Sequence, residues 1–484
     1  MGSPLIRQIW TVCGVFANML AQGMVLSYSS CLLPALREPD SAIKADLETA
    51  SWLASSVGLS SMLGFLISSS LMDRFGRRIT HMLVILPGIS GWLFIYFSYN
   101  ILTLMIGRIL AGITAGATVT LGAIVIGEYT SPEVRGMFLN LKSASVCLGN
   151  MVVHILNNFF SWRTIAIIGL IPQLVALVII YTWQESPAWL ASKGQFQKAK
   201  ETFIWLRGSE ERQILELSEL FKTQEISLYK LKEESTVIIF LKELLKKFTR
   251  KDFVKPIIII VLTGILSEAC GRHFFPAYAM QIIDSLIGDK TQSFYYTLSI
   301  DLIIMSSIIS SSILVKVINL RTLLFTTGIP ALAVLTSACL YLLLVFKDLI
   351  SKDRPWIPLS MFVIFFILVN LCCTPIPYII LGEILPLSHR SVGSSLCGLI
   401  LSLFLMIALK MTPYLLENIS VHGTFTVYGG FVAISLLLLY FMLPETKNKT
   451  LVEIEDYFNN GKYHSYNETD KDTKRKMIND SDMS

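Results

Sequence analysis

Two short stretches of this sequence share one pattern: Gly127-Glu128-Tyr-Thr-Ser-Pro-Glu-Val-Arg135 and Gly382-Glu383-Ile-Leu-Pro-Leu-Ser-His-Arg390. In each stretch a Gly-Glu pair follows a long apolar run, and an arginine stands seven residues after the glutamate. Such a duplication indicates a chain built from a repeated unit, because each copy keeps its charges at equivalent places. The two stretches therefore predict two related halves.

A second pair of motifs supports the same division. Glu185-Ser-Pro closes the last apolar segment of the first half, and Pro-Glu445-Thr closes the last apolar segment of the second. The glutamates are 255 residues apart in the first pair (383 − 128) and 260 in this pair (445 − 185). A weaker echo relates Asp73–Arg78 to Lys316–Arg321, in which only the final arginine is kept.

The composition is that of a membrane protein. The chain has 484 residues, of which 53% are hydrophobic and only 15% are charged, whereas a soluble domain averages about 25% charged residues. A membrane-spanning helix needs about 20 mostly apolar residues. We therefore predict an all-α membrane protein with twelve spans, near residues 9–33, 49–71, 79–99, 101–126, 138–160, 164–183, 254–283, 293–317, 322–346, 356–381, 391–417 and 423–443.

These spans predict four regions along the chain. Residues 1–183 form an N-terminal six-helix bundle, and residues 254–443 form a C-terminal six-helix bundle. Between them, residues 184–253 have mixed charge and helical spacing of apolar residues, which is typical of a linker with short amphipathic helices. Residues 444–484 form a polar tail.

Lysine and arginine concentrate in the loops after the second, fourth and sixth spans and in the tail. By the positive-inside rule these loops, and with them both termini, lie in the cytoplasm. We expect a multi-pass protein of the cell membrane whose partner surface is the lipid bilayer. The loop after the sixth span carries both signs of charge, so no nucleic acid partner is expected, and the oligomeric state stays open.

Parallel six-helix halves around a cavity at the membrane midplane are typical of secondary transporters that rock the halves against each other. Charged helix ends on one face can pair across the gap between the halves, at about 0 to 1 kcal/mol per exposed pair. Several such pairs would stabilise the state in which that face is closed. The alternative is that the charges only anchor helix ends. Arg108 is expected to lie close enough to Glu185 to join the set.

Several motifs together carry a resemblance that covers Ser27 to Phe458. They are Asp73-Arg-Phe-Gly-Arg-Arg78, Gly107-Arg108, Gly127-Glu128 through Arg135-Gly136, Glu185-Ser-Pro-Ala-Trp-Leu190, Trp205-Leu-Arg-Gly208, Pro375-Ile-Pro377, Gly382-Glu-Ile-Leu-Pro386, and Pro444-Glu-Thr-Lys447 with Thr450-Leu451. The chain resembles the sugar-porter branch of the major facilitator superfamily, and within it the insect-type facilitated trehalose transporters.

The resemblance implies a latch, a gate and a transport activity. Pro375 and Pro377 would break the tenth span as a hinge, in keeping with the hydrogen bond that proline removes from a helix. The implied activity is facilitated diffusion of a sugar, or of a related small polar solute, by alternating access. The implied latch consists of Asp73, Arg77, Arg78, Arg108, Glu128, Arg135, Glu185, Glu383, Arg390 and Glu445.

The positions at which sugar porters read their substrate differ in this chain. The usual seventh-span motif Gln-Gln-x-Ser-Gly-x-Asn supplies amides that donate to and accept from hydroxyl groups. Here the aligned stretch is Ser267-Glu-Ala-Cys-Gly-Arg-His273. The resemblance implies a substrate-binding set made of Ser143, Ser267, Glu268, His273 and Tyr378.

Proton-coupled relatives carry an aspartate on the first span, where this chain has Ser29. The resemblance therefore implies a uniporter, with a proton-coupled sugar symporter as the alternative. An alternative of another class is a sensor that binds solute without moving it. The sequence contains no motif of an enzyme and predicts neither a cofactor nor a metal site.

Ionisable residues inside a span are costly and usually face a cavity or a partner. Glu268 and Arg272 are four residues apart, so on a continuous helix they share one face. Three interpretations stay open: a structural ion pair, contact of Glu268 and His273 with substrate, or proton coupling through either residue. Further intramembrane candidates are Lys142, His154, Asp301 and Lys410.

Overall fold

The computed structural model describes residues 3–210, 213–214, 216–218, 220–221, 251–351, 354–384, 390–445 and 457–458. The regular structure of these residues is helical throughout. Most of the predicted linker after residue 210 and most of the predicted tail lie outside them.

The first half of the chain begins with a helix that has proline in its first turn, where its missing N–H removes no helical bond. Later starts are capped by side chains: Asp46 accepts from the amide of Thr49, and Asn100 forms a capping box with Thr103. The helices are α1 (Pro4–Ser27), α2 (Ser29–Arg37), α3 (Leu47–Tyr96), α4 (Ile101–Tyr129), α5 (Pro132–Asn157), α6 (Trp162–Ile168), α7 (Leu170–Tyr181), α8 (Pro187–Ser192) and α9 (Phe196–Arg207).

The second half repeats long apolar helices, two of which are interrupted. The helices are α10 (Lys251–Ala269), α11 (Phe274–Ile287), α12 (Lys290–Val317), α13 (Leu320–Phe346), α14 (Trp356–Leu371), α15 (Ile376–Glu383) and α16 (Arg390–Met442). The seventh predicted span is the pair α10 and α11, and the tenth is the pair α14 and α15.

Two helices are too long for one membrane crossing. At 1.5 Å per residue, the 50 residues of α3 would extend about 75 Å and the 53 of α16 about 80 Å, over twice the hydrocarbon thickness. Each is two spans, because Gly76 and Ser420 interrupt the helical backbone. In the described part of the chain, nine helical stretches are long and apolar enough to cross a membrane, and Trp356–Leu371 is a shorter apolar helix. With both interruptions, the twelve predicted spans are all present.

The two halves meet chiefly along two helix pairs, with smaller contacts of α11 against α1 and α2. α3 packs against α16, and α5 packs against α12. The first contact is close: a Cβ added to Gly58 would lie 2.6 Å from the backbone nitrogen of Met406. Small residues permit such backbone approach between membrane helices. The halves therefore touch through helices, with a cavity beside the α5–α12 contact.

The two ends of the helix bundle differ. We call the end that carries Arg77, Glu128 and Glu185 the latch end. At the opposite end the halves are joined by an ion pair of 2.6 Å between Arg37 and Glu417. Nearby, Lys410 Nζ donates to the Ser51 hydroxyl at 2.7 Å. These bonds bridge the halves at that end.

Candidate functional site

The cavity lies between the halves and takes its lining from both. From the first half, one face of α5 contributes Ser143, Cys147 and Asn150, which recur at helical spacing. From the second half come Asp301 on α12 and side chains of α14. The residues between α10 and α11 complete the wall with Cys270, Gly271, Arg272 and His273.

The cavity is small in this conformation. The centres of water molecules can occupy about 50 Å³ of it, and one water needs about 10 to 15 Å³ on this measure. It therefore holds on the order of four waters. A sugar needs more space, so the halves must move apart for it to bind here.

A helix break places the charged residues of the seventh span. α10 ends at Ala269, and Gly271 has a φ of 93°, which favours glycine. The break turns Arg272 toward the tenth span, where its Nη1 donates to the Thr374 carbonyl at 3.0 Å. The hydroxyl of Ser267 donates to the same carbonyl at 2.8 Å. Broken helices at a midplane cavity are a recurring feature of transporters.

The partner of Glu268 is His273, whose Nδ1 lies 2.7 Å from Oε1. The sequence placed Glu268 beside Arg272 on one helix face, and that geometry is wrong because the helix ends between them. The second carboxylate oxygen of Glu268 is buried and makes no hydrogen bond to any residue that the structure describes. His273 lines the cavity, and Glu268 stands directly behind it.

The tenth span is interrupted where the sequence placed the prolines. α14 ends at Leu371, and α15 begins at Ile376, between Pro375 and Pro377. The break therefore lies at the expected hinge, and its action as a gate stays a prediction. The side chain of Tyr378 lies outside the described residues.

A buried pair joins the halves beside the cavity. His154 on α5 and Asp301 on α12 are only 1% and 4% exposed, and His154 Nδ1 lies 2.6 Å from Asp301 Oδ2. The other ring nitrogen, Nε2, lies 3.0 Å from the carbonyl of Pro276 on α11. His154 thus contacts two elements of the second half.

At the latch end, Arg77 holds two glutamates of the first half. Its guanidinium donates to both carboxylate oxygens of Glu128, at 2.8 and 2.6 Å. Its backbone amide donates to Glu185 Oε1 at 2.7 Å. The amides of Arg78 and Ser186 also donate to Glu185. Although these bonds favour the carboxylate, burial outweighs them and raises the pKa of Glu185 above its ordinary value.

The second half repeats part of this arrangement. The amides of Leu320 and Arg321 donate to the two oxygens of Glu445, at 3.3 and 3.2 Å. The side chains of Glu383 and Arg390 lie outside the described residues. The described latch contacts therefore lie within each half, and pairing across the gap stays a prediction for another conformation.

Arg108 does not lie at the latch end, which corrects the sequence interpretation. It is 1% exposed and donates to the Val25 and Leu53 carbonyls and to the Ser29 hydroxyl. Twenty residues of continuous α4 separate it from Glu128, which is about 30 Å of helix. The two cannot meet.

Two further latch candidates, Asp73 and Arg135, are exposed or half-buried at the latch end. Asp73 is exposed, and its carbonyl accepts from the indole nitrogen of Trp189 at 3.2 Å. Arg135 is half-buried at the start of α5, and its Nε makes no hydrogen bond to the residues described.

Sequence reasoning missed two asparagines of the cavity wall. Asn150 is 6% exposed, lines the cavity, and its Oδ1 has no hydrogen-bond partner among the described residues. Asn370 on α14 faces it from the other half. The signal for Asn150 was its position seven residues after Ser143, on one helix face.

Comparison with known proteins agrees with this architecture. The family model described as "Sugar (and other) transporter" matches residues 12–458. The facilitated trehalose transporter Tret1 of Apis mellifera ligustica is 26% identical over 453 residues, which cover 93% of this chain and 88% of that protein. Tret1 of Drosophila virilis is 24% identical, and this chain spans only 48% of its length.

Among solved structures, the inward-open xylose transporter XylE of E. coli has a TM-score of 0.70 at 17% identity, over 93% of this chain and 98% of that one. At that identity the likeness shows the fold. The family match covers both halves and every span described above. The chain belongs to the sugar transporter family: it is a multi-pass membrane protein of the major facilitator fold, and a transporter rather than an enzyme.

Proposed function

We propose that this protein moves a sugar, or a related small polar solute, across the cell membrane by facilitated diffusion. The observation that carries the proposal is the cavity between the halves, because both α5 and the broken seventh and tenth spans line it. A site shared by two bodies opens to one side or the other as they rock. The trehalose transporters among its relatives suggest the first solute to test.

The conformation described here is closed at the end opposite the latch. Arg37–Glu417 and Lys410–Ser51 join the halves there. The latch contacts stay within each half, so they would move with it as part of a rigid body. Opening the opposite end requires the first two contacts to separate. The Arg37–Glu417 pair is about a third exposed, and exposed pairs contribute about 0 to 1 kcal/mol each, so this pair biases the equilibrium without locking it.

In the proposed orientation, the latch end faces the cytoplasm together with both termini. The support is the excess of lysine and arginine in the loops of that end, which the positive-inside rule places in the cytoplasm. We also propose the division of the chain that the sequence predicts: an N-terminal bundle of residues 1–183, a linker of residues 184–253, a C-terminal bundle of residues 254–443 and a tail from residue 444.

The proposed solute contacts are Ser143 and His273 on the cavity wall, supported from behind by Glu268. The hydroxyl of Ser267 donates to the Thr374 carbonyl, and Thr374 is part of the cavity wall. Ser267 therefore supports the wall and is not itself a solute contact. Asn150 adds an amide whose oxygen accepts no hydrogen bond from the part of the chain that the structure describes. Amide, hydroxyl and imidazole groups can donate to and accept from the hydroxyls of a polyol.

The proposal is tested with purified protein in liposomes. Uptake of radiolabelled trehalose, glucose, a sugar alcohol and a sugar acid is measured for the wild type, for Glu268→Gln and for the exposed control Glu38→Gln. We expect saturable uptake of at least one solute, altered selectivity for Glu268→Gln and wild-type behaviour for the control. Absence of flux for the whole panel would refute transport. Saturable binding without flux would instead favour a sensor.

A further inference from the structure

The pair of His154 and Asp301 has a geometry that requires a proton. A backbone carbonyl can only accept a hydrogen bond, so Nε2 of His154 must carry the hydrogen that it shares with Pro276. If Asp301 were ionised and Nδ1 bare, two acceptors would face each other at 2.6 Å. One further proton therefore lies between Nδ1 and Oδ2, on the histidine or on the acid.

We propose that His154 and Asp301 form a proton-binding site between the two halves. The site holds one proton in the state described here and releases it to water when the halves separate at the end opposite the latch. The inference goes beyond facilitated diffusion of a solute and does not depend on which solute is moved.

The release follows from what separation removes. His154 belongs to α5 of the first half, whereas Asp301 and Pro276 belong to the second half. When the halves part, the imidazole loses both partners and water reaches both side chains. The carboxylate is then solvated as an anion and the imidazole as a neutral base, so no bond favours the extra proton. Asp301 already lines the cavity, which gives the proton a path to water.

The surrounding groups do not replace this site. His273 and Glu268 form a similar pair, but both lie in the second half and stay together when the halves part. Arg37 and Glu417 do join the halves, but their pair is about a third exposed, so water already reaches it while the halves are together. The other titratable or charged groups that line the cavity with Asp301 are Cys147 on α5, and Cys270 and Arg272 at the seventh-span break. Lys142 lies further along α5, and Cys31 lies on α2, which packs against α5 and α11.

The size of the effect follows from linkage. If the closed state binds one more proton than the open state, the ratio of open to closed molecules changes by up to tenfold per pH unit. The sign is fixed: the closed state holds the proton, so raising the pH favours the open state. A purely structural pair would change the ratio when removed, but not its dependence on pH.

The experiment measures that ratio without solute. Cysteines for spin labels replace two exposed side chains of the opposite end, Tyr99 in the first half and Leu349 in the second. Pulsed electron resonance gives the distance distribution from pH 5.5 to 8.5 in detergent and in liposomes. The native cysteines are buried or half-buried, and protein without the added cysteines measures their labelling.

The wild type is compared with His154→Gln/Asp301→Asn and with the control His422→Gln, whose ring packs on Phe346. We expect the long-distance population of the wild type and the control to rise with pH, at up to tenfold per unit. The double variant should lose at least half of that slope. A wild type without pH dependence, or a double variant that keeps more than half of the slope, would overturn the proposal. If the double variant does not fold, Asp301→Asn alone is held to the same criterion.

Discussion

The latch ends of the two halves can be compared atom by atom. In the first half, Glu185 accepts the amides of Arg77 and Arg78, and Arg78 Nη2 donates to the Tyr181 carbonyl at 2.5 Å. In the second half, Glu445 accepts the amides of Leu320 and Arg321 in the same way. Arg321 Nη2 donates to the Tyr440 carbonyl at 2.7 Å.

Even the aromatic contact is repeated. The guanidinium of Arg78 lies 5.6 Å from the ring centre of Tyr181, and that of Arg321 lies 5.6 Å from the ring centre of Tyr440. A glutamate after the last span thus fixes the start of the third span in each half. The weak sequence echo between Asp73–Arg78 and Lys316–Arg321 is therefore structural.

The halves differ at the residue before the repeated arginine. Arg77 binds Glu128 through two parallel hydrogen bonds, whereas its counterpart is Leu320, which is apolar and 4% exposed. A bidentate arginine–carboxylate pair fixes geometry as well as adding energy. Hydrogen bonds from two backbone amides to a glutamate, which we call the shared joint, are therefore common to both halves. The ion pair at this position belongs to the first half.

The largest expected effect comes from making the first half like the second. Arg77→Leu removes both guanidinium hydrogen bonds of Glu128 and leaves it the Ser186 hydroxyl, at a site where the side chains of Arg77 and Glu128 are less than a fifth exposed. We expect the free energy of unfolding to fall by about 2 to 3 kcal/mol, which lies between the values for exposed and for buried ion pairs. Thermal unfolding in detergent measures this change, and the midpoint should fall by about 2 to 3 °C. Arg74→Leu is the exposed control. Equal midpoints for the two variants would contradict the assignment.

The shared joint should respond equally in the two halves. Glu185→Ala and Glu445→Ala each leave two or more backbone amides without an acceptor, at about 1 to 3 kcal/mol in total. Glu185→Gln and Glu445→Gln keep an acceptor oxygen and should lose less than half as much. The same unfolding assay compares the four variants. A large loss in one half only would show that the joints are not equivalent.

The two halves also differ in the backbone conformation of the residue before these positions, which is Gly76 in the first half. Its φ is 85°, and an added Cβ would lie 2.5 Å from Glu185 Oε2, whereas its counterpart Asn319 has an ordinary φ of −62°. Gly76→Ala should lower the free energy of unfolding by about 1 to 2 kcal/mol, because a φ of 85° with a ψ of −178° is a backbone conformation almost confined to glycine. Asn319→Ala should cost less than half of that. Similar unfolding midpoints for both variants would refute the distinction.

The smallest effect is a pH dependence. Because burial raises the pKa of Glu185, the folded protein binds this proton more tightly than the unfolded chain does. The contribution of the raised pKa is full below the ordinary value of 4.5 and is lost as the pH rises through the folded value. The difference in unfolding midpoint, wild type minus Glu185→Gln, should therefore fall as the pH rises above 4.5. A difference that grows with pH would indicate a lowered pKa.

The sequence predicted the fold because its signals are local. Length and apolarity define spans, and the positions of Glu128, Glu185 and Glu445 define the repeat. The site was harder, since it depends on where helices stop. The break at Gly271 joins Glu268 to His273 rather than Arg272, and only the packing of α5 on α12 brings His154 to Asp301. The position of Arg108 was predicted wrongly because the Gly-Arg motif does not indicate how far along α4 the arginine lies from the latch end.

In the proposed mechanism, the two halves rock about a shared cavity and carry a sugar between the two sides of the membrane. Counterflow measures this directly: liposomes with purified protein are loaded with unlabelled trehalose and diluted into a trace of labelled trehalose. We expect a transient accumulation of label above equilibrium, which a carrier produces and a channel does not. We also expect a smaller overshoot for Arg77→Leu. Simple equilibration without overshoot, with trehalose and with every other sugar tried, would rule out transport by rocking halves.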